Sequence, residues 1–271
     1  MDNQTERYLS LMTTPPNAPN AADGRVSVDI TDGIATVSFH HPKGNSLPGS
    51  LLAGLAREIT ALGTNRDARV IVLRSEGTGP FCAGASFDEL VAISTPAAGK
   101  QFFSGFSNVI LAMIRVPQFV LVRVQGKAAG GAVGLVAASD YSFAVKSATA
   151  RLSELAIGIG PFVVGPCIEK KIGLAAFSAM AVDADWHDAE WCERHGLYSQ
   201  IFEDVNAMDA AVASRAQTLA ASNPEAMATL KKNFWAGTEH WDQLLNERAA
   251  MSGTLVLSDF TRNAIAKFKA K

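Results

Sequence analysis

The sequence predicts an α/β fold: mainly parallel strands alternating with helices over the first two-thirds, then a helical region to the end. Three observations carry this expectation. ARVIVLRS (68–75) and FVLVRV (119–124) are short runs rich in β-branched residues, the pattern of strands buried on both faces. Each runs into a glycine-punctuated stretch and then a helical pattern, the order that gives parallel strands joined by right-handed crossovers. From Ile168 onward the pattern is helical, apart from one short apolar run, LYSQIF (197–202).

Taken in order, residues 1–22 are rich in Asn, Pro and Thr and read as a disordered arm or docking extension. RVSVDI (25–30) and IATVSFH (34–40) flank Asp32-Gly33, a strong hairpin signal. HPKGNSLPGS (41–50) is a loop, and Pro48 starts a helix that runs through Leu62. The strand at 68–75 leads into GTGPFCAGASFDEL (77–90), then a short helix and a longer one from about Ala97 to Arg115, ended near Pro117. FVLVRV enters QGKAAGGAVGLVAASDY (125–141), where a helix opens at about Gly131. YSFAVK (141–146) and ARLS (150–153) are short strands, followed by SELAIGIGPFVVG (153–165). Helix breaks are expected at Gly173, Asp183–Asp188, Gly196, Ser222–Pro224 and Gly237. The chain thus divides into an arm (1–22), a core carrying the site (23–200) and a helical, oligomer-forming region (201–271).

Composition excludes several classes. In 271 residues, 48% hydrophobic and 18% charged content is that of a globular protein. A net charge of −2 leaves no electrostatic footprint for nucleic acid. Cys82, Cys167 and Cys192 are odd in number and lack CxxC spacing, which favours a reduced, cytoplasmic compartment over a disulfide framework. Neither a secretory leader pattern nor a membrane-spanning apolar run is present in the sequence, so no membrane association is expected. The glycines do not spell G-x-G-x-x-G, there is no phosphate-binding G-x-x-x-x-G-K-[ST], and there is no G-x-S-x-G elbow. The five histidines lack ligand spacing, so no metal is expected.

The chemistry points instead to the two glycine loops. Adjacent glycines at a strand-to-helix turn let backbone approach a ligand with N–H groups aimed outward, at the positive end of a helix dipole. If the fold brings Gly77–Leu90 and Gln125–Tyr141 together, their amides form an oxyanion hole. Either loop alone reads more readily as tight helix–strand packing. Glu154, set among Leu152, Leu155, Ile157 and Ile159, is expected to be poorly solvated and raised in basicity, a candidate proton carrier. Its plainer role is a helix cap or a salt-bridged acid.

The set HPKGNSL (41–47), GPFCAGASFDEL (79–90), QGKAAGGAVGL (125–135), a strand pair and SELAIGIGPF (153–162) resembles the crotonase (enoyl-CoA hydratase/isomerase) superfamily. The likeness runs from about Arg25 to the C-terminus and includes NPEAMATLKK (223–232) and SDFTRNAIAKFKAK (258–271). It implies a crotonase-like ββα spiral core, a C-terminal helical region supporting a homotrimer or dimer of trimers, and an acyl-CoA substrate. No cofactor is implied beyond the CoA carried on that substrate. The resemblance gives the thioester oxygen to the backbone amides of Ala85 and Gly131. Substrate contacts are implied for Asn45, Ser46, Leu47, Cys82, Ala83, Ala85, Gly130 and Gly131, mainly through backbone groups. Lys267 and Phe268 would reach CoA of an adjacent subunit, although a solvated terminal helix explains the lysine equally well. Asp88 and Ser86 read as helix-start residues, Cys82 as a small buried residue, and Phe87, Phe102, Phe103 and Phe106 as either acyl-pocket wall or core.

One departure from the family is informative. Hydratases resembling this chain carry two catalytic glutamates; Glu154 matches one, but the other position is Gly134. Water addition divides proton work between two carboxylates, whereas shifting a double bond needs one base that takes a proton at C2 and returns it at C4. Isomerisation is therefore expected over hydration, with a non-catalytic acyl-CoA binder, decarboxylation or thioester hydrolysis as alternatives.

Overall fold

A computed structural model describes residues 24–269, with side chains through Lys267; the arm expected at residues 1–22 lies outside the described residues. β1 (Arg25–Thr31) and β2 (Ile34–His40) form an antiparallel hairpin whose register runs from Arg25↔His40 to Thr31↔Ile34. Asp32 and Gly33 both take positive φ, 52° and 80°, the conformation a two-residue hairpin turn demands. β3 (Val70–Ser75), β4 (Phe119–Val124), β6 (Tyr141–Val145) and β9 (Gln200–Phe202) then add in parallel, giving one six-stranded sheet in the order β1-β2-β3-β4-β6-β9. Val70, Ile71, Val72 and Leu73 are all buried, as a strand covered on both faces requires.

A second, three-stranded sheet joins β5 (Ala128–Ala129), β7 (Thr149–Arg151) and β8 (His187–Asp188); β7 falls on the strand expected at 150–153, whereas β5 and β8 were not legible in the sequence. Two-residue strands carry no alternation to read, and long-range pairing alone creates them. α1 (Gly49–Leu62), α2 (Phe87–Ala92), α3 (Pro96–Arg115) and α4 (Gly131–Ala137) connect the early strands. α5 (Gly165–Asp183) is broken at Gly173 (φ 78°, ψ 159°), as expected, and α6 (Ala189–Arg194) follows β8. α7 (Val205–Ala220) packs on β3, β4 and β6, so residues on both sides of position 200 belong to the main sheet and its cover. α8 (Pro224–Phe234), α9 (Trp241–Leu255) and α10 (Asp259–Lys269) complete the chain.

The terminal helices are tied to the core in two ways. α9 crosses α3 at backbone distance: a Cβ added to Gly99 would lie 2.6 Å from Gly253 Cα. From α8, Lys231 enters the interior, ion-paired to Asp140 at 2.9 Å and donating to the Gln118 carbonyl at 2.7 Å. Asp140 also accepts from the Val120 amide (2.7 Å) and from Trp235 Nε1 (3.3 Å). Burial pushes the Lys231 ammonium down from its ordinary pKa, and the charge of Asp140 opposes that shift. No helix among the described residues is long and apolar enough to cross a membrane.

Candidate active site

Both glycine loops leave the carboxyl ends of parallel strands, β3 and β4, and the fold joins them through backbone. Cys82 pairs with Ala128: its amide donates to the Lys127 carbonyl (3.1 Å), and its carbonyl accepts from Ala129 (3.0 Å). Leu47 pairs with Ala85 in the parallel sense, donating to the Gly84 carbonyl (2.8 Å) and accepting from the Ser86 amide (3.2 Å). Those two bonds flank Ala85, so its own N–H points away from Leu47. Among the described residues, neither the Ala85 nor the Gly131 amide has a hydrogen-bond acceptor. Gly131 opens α4, where the first N–H groups have no intrahelical partner. Gly130, at φ 55° and ψ −124°, turns the chain into that helix while its amide donates to the Arg151 carbonyl (2.8 Å).

The cavity between the loops measures about 280 Å³. Ala83, Ala85, Gly130, Gly131 and Glu154 line it together, so sites far apart in sequence converge. Phe87, Phe102, Phe103 and Phe106 line it too, joined by Phe162, a wall residue that sequence patterning missed. Asn45, Ser46, Leu47 and Cys82 do not line the cavity. Asn45 is buried and holds the loop, donating to the Glu76 and Pro80 carbonyls (3.0 Å each) and accepting from the His41 amide. Ser46 Oγ lies 3.0 Å from His41 Nδ1, and Leu47 is wholly buried. Cys82 is wholly buried, with its thiol pushed up to about 12 by burial. Asp88 sits in the first turn of α2, exposed and ion-paired with Lys43, and Ser86 caps that helix by accepting from the Glu89 amide. Lys267 is exposed on α10.

Glu154 lies three residues past the end of β7. A Cβ added to Gly130 would lie 3.3 Å from Glu154 Oε1, which places the carboxyl against the turn that precedes the Gly131 amide. Its Oε2 is buried without a hydrogen-bond partner among the described residues. Burial pushes this carboxyl up from 4.5 to about 7, against the lowering effect of nearby backbone amides. The surroundings differ from the expected apolar pocket in one respect. Leu152 and Ile159 are buried, but Leu155 is 51% exposed, and the wall of the cavity supplies the burial instead.

Gly134 lies one turn into α4, and its missing side chain is not an opening. A Cβ there would stand 2.5 Å from Val164 Cγ1 and 3.3 Å from Ile110 Cδ1. Glu154 is accordingly the only acid among the described residues lining the cavity. Arg151 is the one cation on the wall, its Nε donating to the Ala184 carbonyl (2.5 Å) and its guanidinium 5.9 Å from the Trp186 ring. α10 packs over the turn at residues 155–157, and Leu90 and Ile159 of the cavity wall form a small apolar cluster with Val256 and Ile265. No group of three or more His, Cys, Asp or Glu side chains among the described residues could hold a metal ion.

Unpartnered amides from two loops at the carboxyl ends of parallel strands, with one buried carboxyl beside them, define a protein of the crotonase class. The family model for enoyl-CoA hydratase/isomerase matches residues 29–268, and the chain belongs to that family. It is 31% identical to rat mitochondrial methylglutaconyl-CoA hydratase over 181 residues, 66% of this chain; the chain spans 57% of that relative's length. A Rhodobacter capsulatus protein named "Probable enoyl-CoA hydratase" is 27% identical over 252 residues, covering 91% of this chain and 95% of its own. The crystal structure of enoyl-CoA hydratase from Bacillus halodurans superposes with a TM-score of 0.83 at 18% identity, covering 89% of this chain and 99% of that one, a likeness of fold.

Proposed function

We propose that the protein is an acyl-CoA enzyme that shifts a carbon–carbon double bond, with Glu154 as its sole proton carrier. The observation that carries this reading is the pairing of one acid on the cavity wall with a second position, Gly134, closed by Val164. In a 3-enoyl thioester, Glu154 carboxylate takes a proton from C2. The electron pair delocalises over C2–C4 and onto the thioester oxygen, which the Ala85 and Gly131 amides stabilise. The protonated Glu154 then returns the proton at C4, giving a 2-enoyl thioester of unchanged mass. A carboxyl whose pKa is about 7 is suited to both halves of that exchange at neutral pH.

Water addition to a 2-enoyl-CoA is the second reading, favoured by the hydratase names of the two sequence relatives. Incubation with 3-enoyl-CoA and, separately, 2-enoyl-CoA, with products resolved by mass, separates them. An isobaric product from the 3-enoyl substrate, lost in Glu154→Gln, supports isomerisation. A product heavier by one water supports hydration, and neither product would overturn both. For assembly we infer a homotrimer or dimer of trimers, for which exposed Leu230, Phe234, Met251 and Leu255 on α8 and α9 supply apolar surface. Sedimentation as a monomer would count against it. The free, buried cysteines accord with a cytoplasmic location.

A further inference from the structure

Pro80 precedes Ala85 in the loop leaving β3, at the point where that loop meets the one leaving β4. Contact there is at backbone distance: a Cβ added to Gly126 would lie 2.8 Å from the Gly79 carbonyl oxygen and 3.4 Å from Pro80 Cα. The Pro80 carbonyl accepts from two buried side chains, Asn45 Nδ2 at 3.0 Å and Gln125 Nε2 at 3.3 Å. The two grips come from different segments, and other partners fix the orientation of each carboxamide.

Asn45 Nδ2 also donates to the Glu76 carbonyl, and its Oδ1 accepts from the His41 amide, at 3.0 Å each. Exchanging oxygen and nitrogen would therefore set like groups together. The Asn45 backbone takes φ 55°, a conformation that asparagine tolerates and most side chains do not. Gln125 Oε1 accepts from Arg123 Nη1 (3.1 Å), which turns Nε2 toward Ser75 Oγ (2.7 Å) and Pro80. Arg123 is itself an unexpected residue for the interior of β4, since it is 4% exposed and carries a charge. Its guanidinium forks onto Asp209 of α7, with contacts of 2.6 and 3.1 Å. A buried ion pair gives little net stability over apolar packing, whereas this one decides which way Gln125 faces. Beyond Pro80, the loop is laid onto the segment that Asn45 anchors. Ala83 donates to the Gly44 carbonyl (3.1 Å), and the bridge from Leu47 holds Gly84 and Ser86 on either side of Ala85.

We propose that Gln125 and Asn45 are positioning residues of the oxyanion hole: they clamp the Pro80 carbonyl from two sides and so aim the Ala85 amide into the cavity. Neither lines the cavity, so both act through the loop. The inference rests on the reading of that amide as an oxyanion donor.

Gln125→Glu keeps the side-chain size and the bonds to Arg123 and Ser75. Arg123 holds the new carboxylate ionised, so an oxygen then faces the Pro80 oxygen. Asn45→Gly keeps the positive φ and removes the other grip. With a 3-enoyl-CoA substrate, each change should lower kcat about tenfold and move KM by no more than about twofold. In an Ala85→Pro background, where the amide is already gone, neither should lower kcat further, because both act through that one donor. Amide hydrogen exchange in the ligand-free chain reads the clamp without turnover. The Leu47 and Ser86 amides should lose about tenfold in protection in both variants, while the β2–β3 ladder keeps its own. Unchanged kcat in both single variants, or losses that multiply in the Ala85→Pro background, would overturn the proposal. Unchanged exchange at Leu47 and Ser86 would overturn it too. A parent chain that converts neither enoyl thioester would instead sink the double-bond reading, and exchange would still decide the clamp.

Discussion

Val164 occupies the space that a side chain on Gly134 would need: a Cβ at position 134 would lie 2.5 Å from Val164 Cγ1 and 2.6 Å from its Cβ. The missing acid is therefore a feature of packing as well as of sequence, because no larger residue enters that position without displacing the segment that ends in α5. Gly134→Ala should destabilise the protein by about 1–3 kcal/mol through overpacking. Val164→Ala should not relieve it, since the offending Cβ remains, whereas Val164→Gly should recover part of the loss. Urea denaturation of the four proteins tests this. Undiminished stability in Gly134→Ala would mean that Val164 moves aside freely.

Glu154 makes both activity and stability depend on pH. Its carboxyl titrates at about 7 in the folded chain and near 4.5 when solvated, so the folded state holds its proton longer than the unfolded state does. Below about pH 4.5 both states are protonated and nothing is lost. As pH rises from there through 7, the unfolded state ionises first and stability falls, by about 3 kcal/mol in all. Glu154→Gln should flatten that decline and be the more stable protein above pH 7. Turnover should do the reverse, with kcat/KM rising through a pKa of about 7 and falling by roughly 10²–10⁴ in Glu154→Gln. Chemical denaturation and initial rates over the same pH series check both limbs.

Ala85→Pro isolates one amide of the oxyanion hole. The bridge to Leu47 uses the Gly84 carbonyl and the Ser86 amide, so losing the Ala85 N–H breaks no described hydrogen bond. The change should lower kcat by about 10²–10³ while far-ultraviolet dichroism and melting stay near those of the parent. Gly131 is the poorer place for this test, because a Cβ there would lie 2.4 Å from the Phe106 ring. Unaltered turnover in a folded Ala85→Pro protein would remove that amide from the mechanism.

The thiols should be silent in the native state. Cys82, Cys167 and Cys192 are all buried, and burial pushes each up to about 12. With thiolate the reactive species, a thiol reagent at neutral pH should label none of the three until the chain unfolds, and then all of them. Rapid native labelling of Cys82 would reopen it as a nucleophile.

Lys231 and Asp140 should be costly to separate. Lys231→Met leaves Asp140 buried without its cation and should destabilise by about 3–5 kcal/mol. The double change with Asp140→Asn should recover much of that. Additive losses by chemical denaturation would show that the pair does not act as a unit.

Much of this architecture is visible residue by residue. Positive φ at Asp32 and Gly33, the buried run from Val70 to Leu73, the break at Gly173 and the Ser86 cap all follow from local chemistry. The two glycine loops and Glu154 were marked by their composition. β5 and β8 were not, since two residues hold too little pattern to announce a strand. Nor could Asn45, Ser46 and Leu47 be seen to fold inward, because their partners (Glu76, Pro80, His41 and Gly84) come largely from other segments.

Local propensity, hydrophobic periodicity and turn chemistry act over a few residues, and through them the order of residues specified the strands of the main sheet, most of the helices, the loop glycines and the family. Long-range contacts settled everything else: that the Cys82–Ala128 bridge draws the two loops together, that Glu154 lies against Gly130, and that Val164 fills the place beside Gly134. The physical reason is that steric exclusion, desolvation and hydrogen-bond pairing depend on which surfaces meet. Those meetings arise only when the sheets close and the helices pack upon them.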